Sequence, residues 1–253
     1  MSERVNWNSI SNEALLAEIG RRELDLRSGI GEAAVVGSQS DNLEQEPMPS
    51  PASLFALQPE LTLEKGEKIT RSTGFIFLLS SGYIASYSFI NGERNVQYIY
   101  APDEIFPLQN ASRVVSEQDI VYRALNIATY KAMPKVEFDG LMQSDSGVAR
   151  VVVKQMEERL AFLTERIDVL QQRKAYGQVA YQLTILAVRF GKCSEGVWSI
   201  SLPLGHQEIA DLLGLTRETT SRTISLLKRQ GLVSYNKWHQ LVIPNLEALR
   251  GVI

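Results

Sequence analysis

The chain has 253 residues, of which 44% are apolar and 22% charged, with a formal net charge of −3. These are the proportions of a soluble globular protein with enough chain for one large domain or two small ones. They exclude a membrane-spanning segment, because no apolar run approaches the roughly 18 residues a span needs. The opening MSERVNWNSI lacks the apolar core of a signal peptide, and a single cysteine, Cys193, excludes an internal disulfide and fits a reducing cytoplasm. The charge is unevenly spread: from Arg173 onward ten basic residues stand against five acidic ones, a net +5, which leaves −8 on the rest. A basic module on an acidic body suits a polyanionic partner, although an uneven surface without such a partner has the same count.

In chain order, residues 11–27 read as a short amphipathic helix with Leu15, Leu16, Ile19 and Leu26 on its apolar side. Residues 28–51, rich in Gly, Ser, Glu and Pro and ending PMPSP, read as a flexible linker. This 1–51 extension carries no recognisable chemistry. From about Leu54 to Met133 the pattern changes to short β-rich runs: Phe75–Leu79, Tyr83–Ile90, Val96–Tyr100, Ile120–Ala124 and Ile127–Lys131. Ser81-Gly82 and Asn91-Gly92 punctuate the first three as turns, and the spacing predicts a small antiparallel barrel or sandwich over 52–140.

A long helix follows over 141–173. Ala149, Val153, Met156, Leu160, Leu163, Ile167 and Leu170 recur at alternating steps of four and three, an a/d seam sustained over three heptads. Such a seam packs either against the chain's own barrel or against a partner helix. The second is expected, because Val152, Phe162 and Val169 on its flanks are available to cover the barrel.

Residues 175–190 predict a buried helix ending at Gly191, and Trp198, Ile200, Leu202 and Leu204 alternate as a strand. The stretch HQEIADLLGLTRETTSRTISLLKRQGL is the most informative in the chain. Residues 206–213 predict a short helix that buries Ile209, Leu212 and Leu213, with the small Ala210 where two helices meet closely. Gly214 supplies a positive-φ turn and Thr216 an N-cap for a second helix reaching about Gln230. On that helix Arg217, Glu218, Ser221 and Arg222 share one polar face at the N-terminus, while Ile224, Leu226 and Leu227 are expected inside. Arginine bonds bidentately to guanine O6 and N7, glutamate accepts from cytosine N4, and helix-start amides near Gln207 and Arg217 suit phosphates. Leu232–Tyr235 and Leu241–Ile243 predict a hairpin, a wing whose tip offers Lys237 to a phosphate backbone.

The order of barrel, long helix and winged helix-turn-helix over roughly 54–245 resembles the cyclic AMP receptor protein and fumarate–nitrate regulator (Crp/Fnr) superfamily. HQEIADLLGLTRETTSR is the specific part: the family's Arg-Glu-Thr-x-x-Arg pattern falls on Arg217, Glu218, Thr219 and Arg222, and its Glu-x-x-Ser-Arg pattern on Glu218, Ser221 and Arg222. The resemblance implies an α+β fold with a cyclic-nucleotide-binding-like barrel and a C-terminal DNA-binding domain over 174–253. It further implies a homodimer acting on double-stranded DNA and on RNA polymerase. Thr220 and Thr223 depart from it, standing where the family buries aliphatics.

The sensor departs further. In APDEIFPLQNASRVVSEQDIVYRAL, Pro107 stands near the Glu that holds the ribose in cyclic-nucleotide members, and Gln118-Asp119 stands where Arg-Ser would hold the cyclic phosphate. A different loop register would bring in Arg113; in the register given, an Asp beside a phosphate repels it, so binding through this cassette is not expected and the effector is unassigned. Cys193 alone provides no iron–sulfur cluster, His206 and His239 both lie in the DNA module and provide neither a metal site nor a Ser–His–Asp set, and there is no P-loop. The residues therefore predict neither cofactor nor enzyme. They predict a transcription regulator or, alternatively, a ligand-binding sensor barrel whose DNA-binding tail is only an anchor.

Overall fold

The computed structural model describes residues 48–69, 74–90, 92–108 and 120–253. The expected helix at 11–27, the linker up to residue 47, and Arg113, Gln118 and Asp119 lie outside the described residues. After a single helical turn, α1 (Pro51–Leu54), come β1 (Glu60–Leu63), β2 (Phe75–Ser81), β3 (Ile84–Ile90), β4 (Glu93–Tyr100), β5 (Ile105–Phe106), β6 (Val121–Ala124) and β7 (Ala128–Pro134). They pair antiparallel in two sheets, ordered β1-β7-β2-β5 and β4-β3-β6. Among the described residues the expected antiparallel barrel or sandwich is thus present as two facing sheets with no ladder joining them.

Within the first sheet β2 is buried on both faces, which is why it reads FIFLL rather than as an alternating strand. Phe77 and Leu79 point to the space between the sheets, whereas Ile76 and Leu78 pack with Phe138, Val151 and Val152 on the helical side. Aromatic rings fill the inter-sheet space: Tyr100 stacks on Phe106 at 4.4 Å, and Phe106 meets Tyr122 at 5.2 Å. The turn into β3 requires Gly82, whose φ is +78° and where an added Cβ would lie 2.4 Å from the Ile127 carbonyl oxygen.

The expected helix over 141–173 is two helices, α2 (Lys135–Ser144) and α3 (Ser146–Gln171), divided at Asp145. Asp145 is extended, and its Oδ1 accepts from the amides of Gly147 at 2.7 Å and Val148 at 3.3 Å. An aspartate that caps the next helix competes with continuing the previous one, and the break follows. Along α3, Val148, Val151, Val152, Phe162 and Val169 are buried, so the flanking residues do cover the sheet domain. The a/d seam lies elsewhere on the helix: Val153, Met156, Leu160, Leu163, Ile167 and Leu170 are all exposed in the protomer, Leu160 to 65%. This regular apolar stripe stands in water beside the buried one and takes no part in the core of the protomer.

α4 (Ala175–Phe190), β8 (Gly191–Ser194), β9 (Val197–Ile200), α5 (His206–Leu213), α6 (Arg217–Arg229), β10 (Ser234–Tyr235), β11 (Leu241–Ile243) and α7 (Leu246–Arg250) form the C-terminal module. Its sheet is ordered β10-β11-β9-β8. Leu202 and Leu204 fall beyond the end of β9, although Leu202 is buried. Among the described residues no helix is long and apolar enough to cross a membrane.

Arg94, Arg166 and Arg189 tie this module to the sheet domain and to α3, and Arg159 ties α3 to the sheet domain. Arg94 of β4 donates from Nε to Oδ2 of the buried Asp211 on α5 at 2.7 Å. Arg166 of α3 bonds the carbonyls of Gln97 at 2.6 Å and Leu212 at 3.2 Å. Arg189 of α4 donates to Glu104 Oε1 at 2.8 Å and to the Tyr98 hydroxyl. Arg159, 6% exposed, lies over the rings of Tyr98 and Tyr100 and donates to the Ile105 carbonyl at 3.3 Å. Burial raises the Glu104 carboxyl above the ordinary glutamate value despite the opposing Arg189 charge. Burial, reinforced by Glu104, pushes the Tyr98 phenol up to about 12.

Candidate nucleic-acid interface

The site is built around the junction of α5 and α6. Glu208 turns back so that its Oε2 accepts from the Gly205 amide at 3.0 Å, satisfying a donor at the start of α5. Ile209, Ala210, Leu212 and Leu213 are buried on α5 as the apolar spacing predicts. Gly214 is left-handed at φ 64°, and the amide of Leu215 returns to the Ala210 carbonyl at 3.1 Å, closing the turn. Thr216 caps α6 by accepting from the Thr219 amide at 3.2 Å. Each of these features depends on a residue within five positions, which is why the local sequence predicts the bounds.

α6 buries Thr220, Thr223, Ile224 and Leu227, a stripe at i, i+3, i+4 and i+7. Leu226 corrects the sequence reading: it is 38% exposed, because it lies about 200° around the helix from Ile224. Thr220 and Thr223 thus supply half of the buried stripe. Thr223 returns its hydroxyl to the Thr219 carbonyl at 2.8 Å, and the Thr220 hydroxyl is buried without a hydrogen-bond partner.

With that stripe inside, Arg217, Glu218 and Arg222 are exposed and Ser221 is half-buried, and the four line one shallow surface depression. A glutamate and two arginines in the first two turns, at the positive end of a helix, present acceptor and bidentate donors together. Gln207 is exposed on α5, its Nε2 donating to Asp211 Oδ1 at 2.7 Å, so the Asp211 held by Arg94 also positions it. Lys237 is exposed at the wing tip, its Nζ 4.4 Å from the Trp238 ring centroid. The structure thus brings four of the six candidate residues together on α6 and puts Gln207 and Lys237 on separate elements of the same module. Sequence reasoning did not find Arg94 and Asp211, 117 positions apart, for which no local signal exists. Trp238 was visible as an aromatic within a polar turn and was not singled out.

Among the described residues no group of three or more His, Cys, Asp or Glu could hold a metal ion. Cys193 is exposed on β8. Pro107 lies just after β5.

Residues 177–252 match the family model described as a Crp-like helix-turn-helix domain. The chain is 30% identical over 116 residues to the transcriptional activator protein FnrL of Cereibacter sphaeroides, a match spanning 44% of this chain and 47% of that relative, about half its length. It is 24% identical over 189 residues to the transcriptional activator protein anr of Pseudomonas aeruginosa, spanning 73% and 77% of the two chains. Among solved structures it shares its fold with FixK2 from Bradyrhizobium japonicum, with a TM-score of 0.65 at 23% identity over 77% of this chain and 96% of that one.

Proposed function

The chain belongs to the Crp/Fnr superfamily, and from that premise we propose that it is a transcription regulator that binds palindromic DNA as a homodimer, without enzymatic activity. The convergence of Arg217, Glu218, Ser221 and Arg222 on one exposed face of α6 carries the reading. α6 enters the major groove, where those residues meet base edges, while Gln207 and Lys237 meet phosphates. Two copies pair through Ala149, Val153, Met156, Leu160, Leu163, Ile167 and Leu170. The exposed stripe on α3 supports this, since an a/d seam left in water matches the face that a partner helix covers. In this reading residues 52–140 sense, 141–173 pair and 174–253 bind DNA, in a reducing cytoplasm where RNA polymerase is the further partner.

Selection of bound sequences from random duplex DNA tests the proposal. The expected product is a palindrome whose half-sites lie about 10–10.5 bp apart, one helical turn, as two α6 helices related by a two-fold axis require. Recovery of no enriched sequence would favour a tail that serves only as an anchor.

A further inference from the structure

The wing carries a constellation that α6 does not explain. Between β10 and β11 the turn runs Asn236, Lys237, Trp238, His239, Gln240. The Asn236 side chain builds it: Oδ1 accepts from the amides of Trp238 and Gln240, each at 3.0 Å, and Nδ2 donates to Gln240 Oε1 at 2.8 Å. The backbone closes it again, Asn236 N to Gln240 O and His239 N to Asn236 O, each at 3.0 Å, with His239 left-handed at φ 59°. An asparagine side chain that mimics backbone in this way fixes a turn. What the turn holds out is an indole: Trp238 is 68% exposed, with the Lys237 ammonium over its ring.

The base of the wing is fixed to the reading unit. Tyr235, at the end of β10, meets His206 Nε2 through its hydroxyl at 3.3 Å and lies 5.9 Å beneath the Lys228 ammonium of α6. The tip therefore travels with α6. When a helix lies in the major groove, an element fixed to its flank meets the bordering phosphate strand and the minor groove beyond.

We infer that Trp238 is a minor-groove contact that gives this protein a base preference outside the half-sites read by α6. This rests on the DNA-binding reading above and adds to it. A flat indole fits between sugar walls roughly 6 Å apart, and its ring nitrogen is a donor only. The minor-groove floor at A·T presents acceptors alone, whereas G·C adds the guanine 2-amino donor, so a donor-only edge is accommodated at A·T and opposed at G·C. Lys237, shared between the indole face and a phosphate, anchors the ring at the groove edge.

The test uses the full chain and its selected operator, with the pair flanking each half-site made A·T, G·C or inosine·C. Inosine lacks the 2-amino group but keeps the major-groove face of guanine. The wild-type chain is expected to bind A·T and inosine·C alike and G·C at least about fivefold more weakly, the low end of what one unfavourable pair costs. Trp238→Phe keeps a ring without the donor and is expected to bind all three flanks alike. Trp238→Ala is expected to lose affinity for every flank as well. Equal binding of the three flanks by the wild type, or unchanged discrimination in Trp238→Phe, overturns the inference while leaving an operator read through Arg222 intact. Failure to select any operator overturns the DNA-binding reading, and this inference with it.

Discussion

The two regions of the described chain place their arginines in opposite ways. In the C-terminal module Arg217 and Arg222 lie outside, over a stripe of threonine, isoleucine and leucine. Where that module meets the sheet domain, Arg159 and Arg189 lie inside, against the rings of Tyr98, Tyr100 and Phe162. A guanidinium taken out of water is tolerated only where oxygens and aromatic faces replace the water, so it fixes the structure around it. Like-charged guanidiniums held in water repel one another until a polyanion neutralises them. Of the inner arginines, Arg189 joins the two modules through Glu104 and Arg159 fixes α3 to the sheet domain, while the outer ones stay in water, as the proposed DNA contact requires. α3 shows the same division for apolar groups, with one stripe spent on the protomer and one left exposed.

The exposed stripe gives the largest expected effect. Leu163→Lys puts a charge at the centre of the seam, and sedimentation should show monomers. Loss of the second reading helix should then weaken operator binding by roughly 10²–10⁴, the advantage of joining two modest sites. A variant that still sediments as a dimer would remove the seam from the account.

Next in size is the inner cluster. Arg189→Met leaves the Glu104 carboxyl buried without its cation, and Glu104 Oε2 already has no hydrogen-bond partner. Removing one member of such a pair costs about 3–5 kcal/mol, toward the lower figure here because both side chains keep some contact with water. The loss should depend on pH. Burial already raises the Glu104 pKa and Arg189 opposes the rise. Without Arg189 it rises further, and the folded state holds that proton more readily than the unfolded chain. The variant is therefore most stable below the unfolded glutamate pKa and loses stability as pH climbs through the folded one. Urea midpoints should show the gap from wild type widening as pH rises above the ordinary glutamate range, and a gap independent of pH would mean that the pair does not couple as described.

The smallest effect concerns the wing. Lys237→Ala should weaken operator and random DNA alike and lower the slope of log affinity against log salt by about one, as loss of one phosphate contact requires. Titration at several salt concentrations measures this directly, and a change confined to one sequence would reassign Lys237 to base contact.

The unequal legibility of these regions follows from how far their determinants lie apart in the chain. α5, the turn at Gly214 and the cap at Thr216 were readable because each depends on near neighbours, and α4 because its apolar spacing is unbroken over four turns. β1 was missed because three of its four residues are exposed and it pairs with β7 across the domain, and β5 because two residues make no pattern. The division at Asp145 was passed over because apolar periodicity resumes beyond it, and Leu226 was placed inside on hydrophobicity rather than on its angle around the helix. At the candidate site, the shared face of Arg217, Glu218, Ser221 and Arg222 was predictable from spacing alone. The support of Gln207 by Asp211 and Arg94 was not, since it joins residues of different domains.

The central claim is that α6 reads bases, and Arg222 tests it most directly. Titrate Arg222→Ala and the wild type against the selected operator, each of its single-base changes and random DNA. The account predicts that the variant loses roughly 1–3 kcal/mol on the operator and no longer discriminates at one base position in each half-site, while its discrimination elsewhere survives. A uniform loss of affinity with base preference untouched would contradict it.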